Sequence, residues 1–228
     1  MRKNLFVILA LLAIGCLGCK ENPYKAAPPL TSASYFPQTY GSTWRYRDSI
    51  FGEATNPLPI YGIKIDTLIY TMNGATTDFN SHISYDAQVS SRIFAPYTSD
   101  FFAGKHCYEL IEPTRAFGLL DLHVYVDTAS AGYSWVNIPS LTTLLHNSPV
   151  QAINTIEEKN ITKIVGGKTY ASVTHTSINF QININKTGFY NIAHFDFYLA
   201  PGIGIIEKDA YYYGYLNETE TLIDCVIK

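Results

Sequence analysis

The clearest pattern in the chain is Ile178-Asn179-Phe180-Gln181-Ile182-Asn183-Ile184-Asn185, in which apolar and amide side chains alternate without exception. Successive side chains of a β-strand point to opposite faces of a sheet, so this stretch predicts a strand with one apolar face. The same alternation recurs, and its apolar positions are Ile63, Ile65 and Ile69; Ile83, Tyr85, Ala87 and Val89; and Leu122, Val124 and Val126. The repeated pattern predicts an all-β domain of mostly antiparallel strands.

Turn signals support this fold class. Met72-Asn73-Gly74-Ala75 and Val165-Gly166-Gly167-Lys168 each place residues that accept positive φ between two strand-like segments, which predicts two β-hairpins. The one helical signal is Leu141, Leu144 and Leu145 after Pro139-Ser140, and it is at most two turns long.

Composition and charge exclude several classes of protein. Of the 228 residues, 47% are apolar and 15% are charged, which fits a globular domain and not a disordered, collagenous or coiled-coil chain. The formal net charge of −3 provides no basic field, so no nucleic-acid partner is expected.

Residues 1–18 are predicted to be a lipoprotein signal peptide. A positive start is followed by the apolar run 5–14 and by Gly15-Cys16-Leu17-Gly18-Cys19. A cysteine after glycine at this boundary favours an acylated thiol, Cys19 by a small margin over Cys16, and the alternative is a plain secreted protein. Acyl chains would hold the protein on the outer membrane of a Gram-negative bacterium, facing the periplasm or the outside.

The rest of the chain divides into a tether and a β domain. Residues 19–40 contain four prolines, which favour an extended tether, and the domain is expected to span 41–228. Gly41-Ser42-Thr43-Trp44 matches Gly132-Tyr133-Ser134-Trp135, and Gly74-Ala75-Thr76 matches Gly167-Lys168-Thr169 at nearly the same offset. These matches suggest a duplication with halves at 41–125 and 126–228.

A set of landmarks resembles a group of Bacteroidota envelope lipoproteins. The landmarks are Tyr35-Phe36-Pro37, Gly41-Ser42-Thr43-Trp44-Arg45-Tyr46, Gly132-Tyr133-Ser134-Trp135, Gly166-Gly167-Lys168-Thr169-Tyr170 and the segment 197–207 around Ala200-Pro201-Gly202-Ile203-Gly204. The resemblance implies an all-β, lipid-anchored envelope protein and supplies no catalytic residues. The aromatic segment 95–118 has no counterpart in that group. The landmarks have structural explanations, since tryptophan can close one end of a sheet and Pro201-Gly202 fits a turn.

No catalytic, metal or cofactor site is predicted. The six histidines are scattered, and none forms an i, i+4 pair or a cluster with zinc-finger spacing. Gly132-Tyr133-Ser134-Trp135-Val136 lacks the second glycine of a nucleophile elbow, and neighbours such as His106 and Cys107 point to opposite faces of a strand. Cys107 and Cys225, the two cysteines of the domain, are either a disulfide or two buried thiols.

Aromatic residues are the main candidates for a binding surface, because 18 tyrosines and 12 phenylalanines exceed what a core of this size uses. The candidate residues are Phe94, Tyr97, Phe101, Phe102, Tyr211, Tyr212, Tyr213 and Tyr215. The alternative is that these rings serve the core and cross-strand pairs. Three Asp-Ser/Thr-apolar triplets also suggest O-glycosylation, a modification known in that bacterial phylum, at Ser49, Thr67 and Thr128.

The leading functional hypothesis is a non-catalytic binding or accessory module for a glycan, an apolar molecule or another envelope protein. A structural spacer is the second hypothesis, and an envelope hydrolase with two carboxylates in a cleft is the third. The candidate aromatic residues form two groups, one at 94–102 and one at 211–215. If both groups line one concavity, the binding hypothesis is favoured over the spacer hypothesis.

Overall fold

The computed structural model describes residues 35, 37, 39–53, 56–77, 83–103, 107–114, 118–139, 148–184 and 187–228. The predicted leader with Cys16 and Cys19 and the predicted helical turn at Leu141, Leu144 and Leu145 lie outside these residues. The described strands are β1 (Thr43–Glu53), β2 (Asn56–Thr77), β3 (Ile83–Ser90), β4 (Tyr97–Ala103), β5 (Cys107–Thr114), β6 (Gly118–Val126), β7 (Ser134–Asn137), β8 (Val150–Val165), β9 (Lys168–Ile182), β10 (Tyr190–Ala200), β11 (Gly204–Tyr212) and β12 (Tyr215–Val226). No helix among the described residues has the length and hydrophobicity that a membrane crossing needs.

These strands form one sheet in which neighbouring strands are antiparallel. Their order is β6-β5-β4-β3-β2-β1-β12-β11-β10-β9-β8-β7, so the first and last strands lie side by side at the centre. The sheet curls until β6 contacts β8 and β9, and its concave face encloses the core. The prediction of an all-β, mostly antiparallel domain is confirmed.

Strand β9 carries the alternation that decides the fold, and its apolar face points into the curled sheet. Ile178 and Phe180 are fully buried. On the outer face Gln181 accepts a hydrogen bond from Gln151 at 2.7 Å and donates one to Asn191 at 2.7 Å. Amide side chains therefore link β8, β9 and β10 outside the sheet while apolar side chains fill the inside.

Strand β2 shows the same alternation with the opposite face buried. Ile65 is 52% exposed, and Ile63 and Ile69 are also exposed, whereas Leu68 is only 2% exposed and Tyr70 is buried. Because successive side chains of a strand point to opposite faces, assigning the wrong alternate residues to the core places every side chain of the strand on the wrong face. The isoleucines that marked the alternation therefore lie on the outer face, and Leu68, Tyr70 and Met72 form the buried face.

One of the two predicted hairpins is present. Gly166 and Gly167 form the turn between β8 and β9, with φ values of 57° and 79°. Met72-Asn73-Gly74-Ala75 is not a turn, because β2 continues through it and Gly74, with φ of 113°, lies at a bulge opposite β3. A bulge and a turn both need positive φ, so the Asn-Gly pair did not distinguish them.

Trp44 closes one end of the core, as expected from its position after a turn glycine. Its indole Nε1 donates to the carbonyl oxygen of Ile203 at 2.7 Å, and the Tyr46 hydroxyl donates to that of Ile205 at 2.7 Å. Ile203 lies in the turn between β10 and β11, where Gly202 has φ of 71°. The Pro201-Gly202 turn is thus confirmed, and Trp44 anchors it to β1.

The two tryptophans that suggested a duplication have different environments. Trp44 is buried in central strand β1, whereas Trp135 is half-buried in edge strand β7 and stacks on Tyr133 with a centroid distance of 5.9 Å. The second match pairs the Gly74 bulge with the Gly167 turn. Six described strands fall in each proposed half, and the duplication stays a prediction.

Candidate functional site

A cavity of about 310 Å³ lies inside the curled sheet beside the loop between β3 and β4. The residues of this loop, Phe94, Ala95 and Pro96, are exposed at one wall, and the remaining walls come from β2, β4, β5 and β10 to β12. Its largest apolar lining residues are Leu68, Phe94, Pro96, Tyr97, Phe195 and Tyr212.

The cavity brings together members of both predicted aromatic groups. Phe94 and Tyr97 come from the first group and Tyr212 comes from the second, although more than 100 positions separate them in the chain. The contact arises because the sheet curls, so that β4 and β11 face each other across the interior.

The other candidate aromatics lie elsewhere. Phe101 belongs to the core, and Phe102 lies half-buried. Tyr211 is on the outer face, where its ring meets His194 edge-on at 5.5 Å. Tyr213 and Tyr215 are exposed at the turn between β11 and β12. Five of the eight candidates are therefore outside the cavity.

A buried ion cluster borders the aromatic wall of the cavity. Lys208 Nζ on β11 donates to Glu112 Oε1 on β5 at 2.5 Å and to Glu220 Oε1 on β12 at 2.6 Å. The Tyr70 hydroxyl donates to Glu220 Oε2 at 3.3 Å and lies 3.4 Å from the Tyr97 hydroxyl. Five strands separate β5 from β11 in the sheet order, so the Lys208–Glu112 pair spans the interior.

Burial controls the protonation of this cluster. Desolvation raises the pKa of Glu112 to about 7, with a further contribution from Glu220, although the neighbouring Lys208 ammonium opposes the shift. Burial disfavours the Lys208 ammonium, but the carboxylates of Glu112 and Glu220 hold its pKa well above the usual value. Burial also raises the pKa of Tyr70 well above its usual range. The cluster therefore holds one ammonium and a protonated phenol, and its Glu112 carboxyl takes up a proton more readily than an exposed glutamate does.

Asp66 holds the loop that forms the cavity wall. This buried carboxylate accepts a hydrogen bond from the Ser91 hydroxyl and from the backbone amides of Arg92 at 3.1 Å and Ile93 at 3.3 Å. Burial opposes ionisation of Asp66, yet these bonds and one from the amide of Thr67 lower its pKa. Phe94 thus projects from a loop that is fixed to β2.

The chemistry available in the cavity is recognition of polar groups on an apolar background. Glu112 and Glu220 resemble the carboxyl pair expected for a hydrolase, but Lys208 Nζ lies between them and hydrogen-bonds to both. In retaining glycosidases the space between two carboxyl groups about 5 Å apart receives the glycosidic bond. Here the ammonium fills that space.

A second polar cluster lies on the outer face of β9 and β10. Asp196 Oδ1 is 2.8 Å from His175 Nε2, and Asp196 Oδ2 is 3.0 Å from His194 Nε2. The His175 ring stacks on Tyr198 at 4.4 Å, and Lys163 Nζ lies 3.3 Å from the centre of the Tyr198 ring. Tyr198 therefore links this cluster to Lys163 on β8.

The structure shows the two domain cysteines as free thiols, so the disulfide alternative is not supported. Cys107 is on β5 and Cys225 is on β12, and four strands lie between them. Burial raises the pKa of Cys107 to about 12, helped by the charges of Glu109 and Asp121. Of the proposed glycosylation positions, Ser49 and Thr67 are half-buried on strands, and Thr128 is exposed in the turn after β6.

The charged residues of the cavity are the functional candidates that the sequence reasoning missed. Lys208 and Glu220 each occupy an inward position of an alternating strand, next to buried Ala210 and Leu222 respectively. A charge on the apolar face of a strand is the signal that would have found them, because lysine and glutamate are rarely buried without a partner.

No protein-family model matches the chain. No curated protein matches it either. Two solved structures are similar over most of its length. One is a predicted exported protein with a YmcC-like fold from Bacteroides fragilis, 13% identical, with a TM-score of 0.49 over 85% of this chain and 99% of that one. The other is a predicted lipoprotein from Parabacteroides distasonis, 10% identical, with a TM-score of 0.46 over 86% of this chain and all of that one.

Proposed function

We propose that this protein is a lipid-anchored cell-envelope protein whose interior cavity binds a small apolar molecule with a hydrogen-bond-donating or cationic end. The role is non-catalytic. The proposal rests on one observation: the aromatic residues Phe94, Tyr97 and Tyr212 line the same cavity as the charged cluster around Lys208.

Size and lining support a small-molecule ligand. Ligand cavities typically measure about 300–1,000 Å³ and combine apolar walls with a few polar groups, and this cavity of about 310 Å³ lies at the lower limit. Each aromatic side chain that a ligand covers removes a large apolar area from water. A polymeric glycan would need a longer groove, so a compact ligand fits better.

The charges of the cluster favour a donor on the ligand. Two carboxyl groups, Glu112 and Glu220, share the one ammonium of Lys208. A carboxylate has about four acceptor positions, and an ammonium has only three donors. An amine or hydroxyl group of the ligand can use the remaining acceptor capacity, whereas an anionic group would meet like charge in a poorly solvated site.

Two dyes that share one ring system test this binding mode. N-phenylnaphthylamine is neutral and has an N–H donor, and anilinonaphthalene sulfonate adds an anionic group. The purified full chain should enhance the fluorescence of the neutral dye and bind it at least about tenfold more tightly than the sulfonate, a difference of about 1.4 kcal/mol. Glu112→Gln should reduce that preference, and Glu207→Gln on the outer face should leave it unchanged.

A second pair of variants locates the dye. Phe94→Ala removes a ring from the cavity wall and should weaken binding of the neutral dye about fivefold, whereas Phe189→Ala removes an exposed ring elsewhere and should have no effect. All variants carry the same acyl chains, so dye dissolved in lipid or detergent contributes equally. Equal affinity of the two dyes, or unchanged binding in Phe94→Ala, would contradict the proposal.

The envelope location rests on the leader and is tested separately. Replacing both Cys19 and Cys16 with alanine should move the protein from the membrane fraction to the soluble fraction, and the two single variants show which thiol is acylated. We propose the outer membrane as the destination. Retention of the double variant in the membrane fraction would show that acylation is not the anchor.

A further inference from the structure

A cluster of three different metal-ligand types lies on the outer face of the β5–β6 hairpin, away from the cavity. Cys107 and Glu109 alternate on β5 and therefore share a face, and Glu109 pairs directly with His123 on β6. The register of the two strands shifts between Tyr108 and Glu109, so that Cys107 pairs with Val126. The ligand atoms of Cys107, Glu109 and His123 all lie within 4.8 Å of one another.

The distances are close to those of a coordinated ion. Glu109 Oε1 is 3.9 Å from Cys107 Sγ and 3.6 Å from His123 Nε2. Tetrahedral zinc, with bonds of about 2.3 Å to sulfur and about 2.0 Å to nitrogen or oxygen, places its ligand atoms about 3.3–3.6 Å apart. The two distances to Glu109 exceed these values by only a few tenths of an ångström, and side-chain rotation would bring the Cys107 and His123 ligand atoms, now within 4.8 Å of each other, around one ion.

A fourth donor lies beside the imidazole. Asp121 is two residues before His123 on β6 and shares its face, and its Oδ1 atom is 3.8 Å from His123 Nε2. This oxygen is buried and accepts no hydrogen bond within the described part of the chain. A buried carboxylate oxygen without a donor is uncommon in folded proteins, and a cation would satisfy it.

We propose that Cys107, Glu109 and His123 bind a zinc ion, with Asp121 in the fourth position. Thiolate and imidazole ligands select zinc over calcium and magnesium, which prefer sites built only from oxygen. His123 binds as the neutral imidazole through Nε2. The Cys107 thiol releases its proton to water as the zinc–sulfur bond forms, so one proton leaves for each ion bound.

This set has neither the helical nor the zinc-finger spacing by which metal ligands are recognised in a sequence. In a hairpin the relevant signal is an alternate-residue pair on each strand, Cys107-x-Glu109 on β5 and Asp121-x-His123 on β6, joined by the register of the two strands. The site is separate from the proposed ligand cavity, because Glu112 on the same strand β5 faces the interior.

Cobalt titration of the full chain, purified without a histidine tag, tests the site. Cobalt occupies tetrahedral zinc sites and gives visible d–d bands and a thiolate-to-cobalt charge-transfer band. We expect one equivalent of cobalt to produce both bands and one equivalent of zinc to remove them. Cys107→Ser should abolish the charge-transfer band, and Cys225→Ser, which changes the other thiol of the described domain, should preserve it.

His123→Gln provides an independent test that does not alter a thiol. It should weaken zinc binding at least about tenfold, whereas His175→Gln should leave it unchanged. Thermal unfolding without metal shows that each variant is folded, and a zinc concentration near the wild-type dissociation constant should raise the melting temperature of the wild type and of the Cys225→Ser and His175→Gln controls more than that of Cys107→Ser and His123→Gln. A charge-transfer band that survives in Cys107→Ser, or equal zinc affinity in His123→Gln, would overturn the proposal. Calcium binding that persists in both variants without a cobalt band would also overturn it.

Discussion

The inner and outer faces of the same sheet carry ion clusters of opposite composition. Inside, the one ammonium of Lys208 is shared by the carboxyl groups of Glu112 and Glu220. Outside, the one carboxylate of Asp196 is shared by the imidazoles of His175 and His194. The inner cluster joins β5 to β11 and β12 across the interior and borders the cavity, whereas the outer cluster joins the neighbouring strands β9 and β10.

The comparison shows how burial changes what a polar cluster can do. Desolvation raises the pKa of Glu112 to about 7, whereas hydrogen bonds from the two histidines outweigh burial and lower the pKa of Asp196. Each oxygen of the outer carboxylate is within hydrogen-bond distance of one imidazole, and the cluster is partly exposed. The inner carboxyls have one ammonium between them and little water, so they retain capacity for a ligand.

The largest expected effect comes from removing the inner cation. Lys208→Met keeps the length of the side chain but leaves two carboxyl groups buried without their ammonium, and breaking a buried ion pair costs about 3–5 kcal/mol of unfolding free energy. Chemical denaturation at pH 7 measures it.

The matched control is Lys163→Met on the outer face. Lys163 pairs with Glu207 at 2.8 Å, and a partly solvated pair of this kind contributes about 0–1 kcal/mol. Equal losses in the two variants would mean that burial does not distinguish the clusters. Adding Glu112→Gln to Lys208→Met should recover part of the lost stability, because it removes one of the uncompensated carboxyl groups.

The second prediction compares the two faces through apolar residues of one strand. Leu68→Ala on β2 opens a hole in the core and should cost about 2–5 kcal/mol of unfolding free energy. Ile65→Ala, three residues away on the outer face, should change it by less than about 0.5 kcal/mol. Denaturation of both variants under one set of conditions checks the assignment of faces. A larger loss for Ile65→Ala would reverse it.

These faces also show how much the sequence could predict. Alternation alone identifies the end of β9, because the outer positions Asn179 and Gln181 are polar and only the face of Ile178, Phe180 and Ile182 can be buried. In β2 both faces carry apolar residues, so the sequence predicts a strand but does not show which face is buried. The Asn73-Gly74 pair failed for a similar reason, since a glycine with positive φ can serve either a bulge or a turn.

The site was harder to predict than the fold because its parts come from distant strands. The aromatic groups around Phe94 and Tyr212 were identified from composition, but their common cavity depends on the curl of the sheet. The Lys208–Glu112 contact joins residues 96 positions apart and five strands apart in the sheet. Local sequence patterns do not predict a contact between two distant strands across the interior.

The smallest expected change in unfolding free energy comes from replacing Asp196 on the outer face, and this change depends on pH. The hydrogen bond with Asp196, together with its charge, raises the pKa of His194, and burial opposes the shift. A histidine whose folded pKa is raised contributes stability that is fully present below its unfolded pKa of about 6.5. That contribution disappears as pH rises through the folded pKa. Asp196→Asn should therefore cost about 1 kcal/mol of unfolding free energy at pH 6 and less at pH 9.

Urea denaturation at the two pH values, with NMR titration of the His194 ring, measures this difference. The control is Asp209→Asn on β11, because Asp209 pairs with Asp196 across the strands but hydrogen-bonds to the Thr219 hydroxyl at 2.6 Å. This control should leave the pH 6 to pH 9 difference nearly unchanged. If Asp196→Asn costs the same at both pH values, the outer cluster acts through neutral hydrogen bonds alone. The contrast with the charged inner cluster would then be sharper, because only the buried side of the sheet would depend on a formal charge.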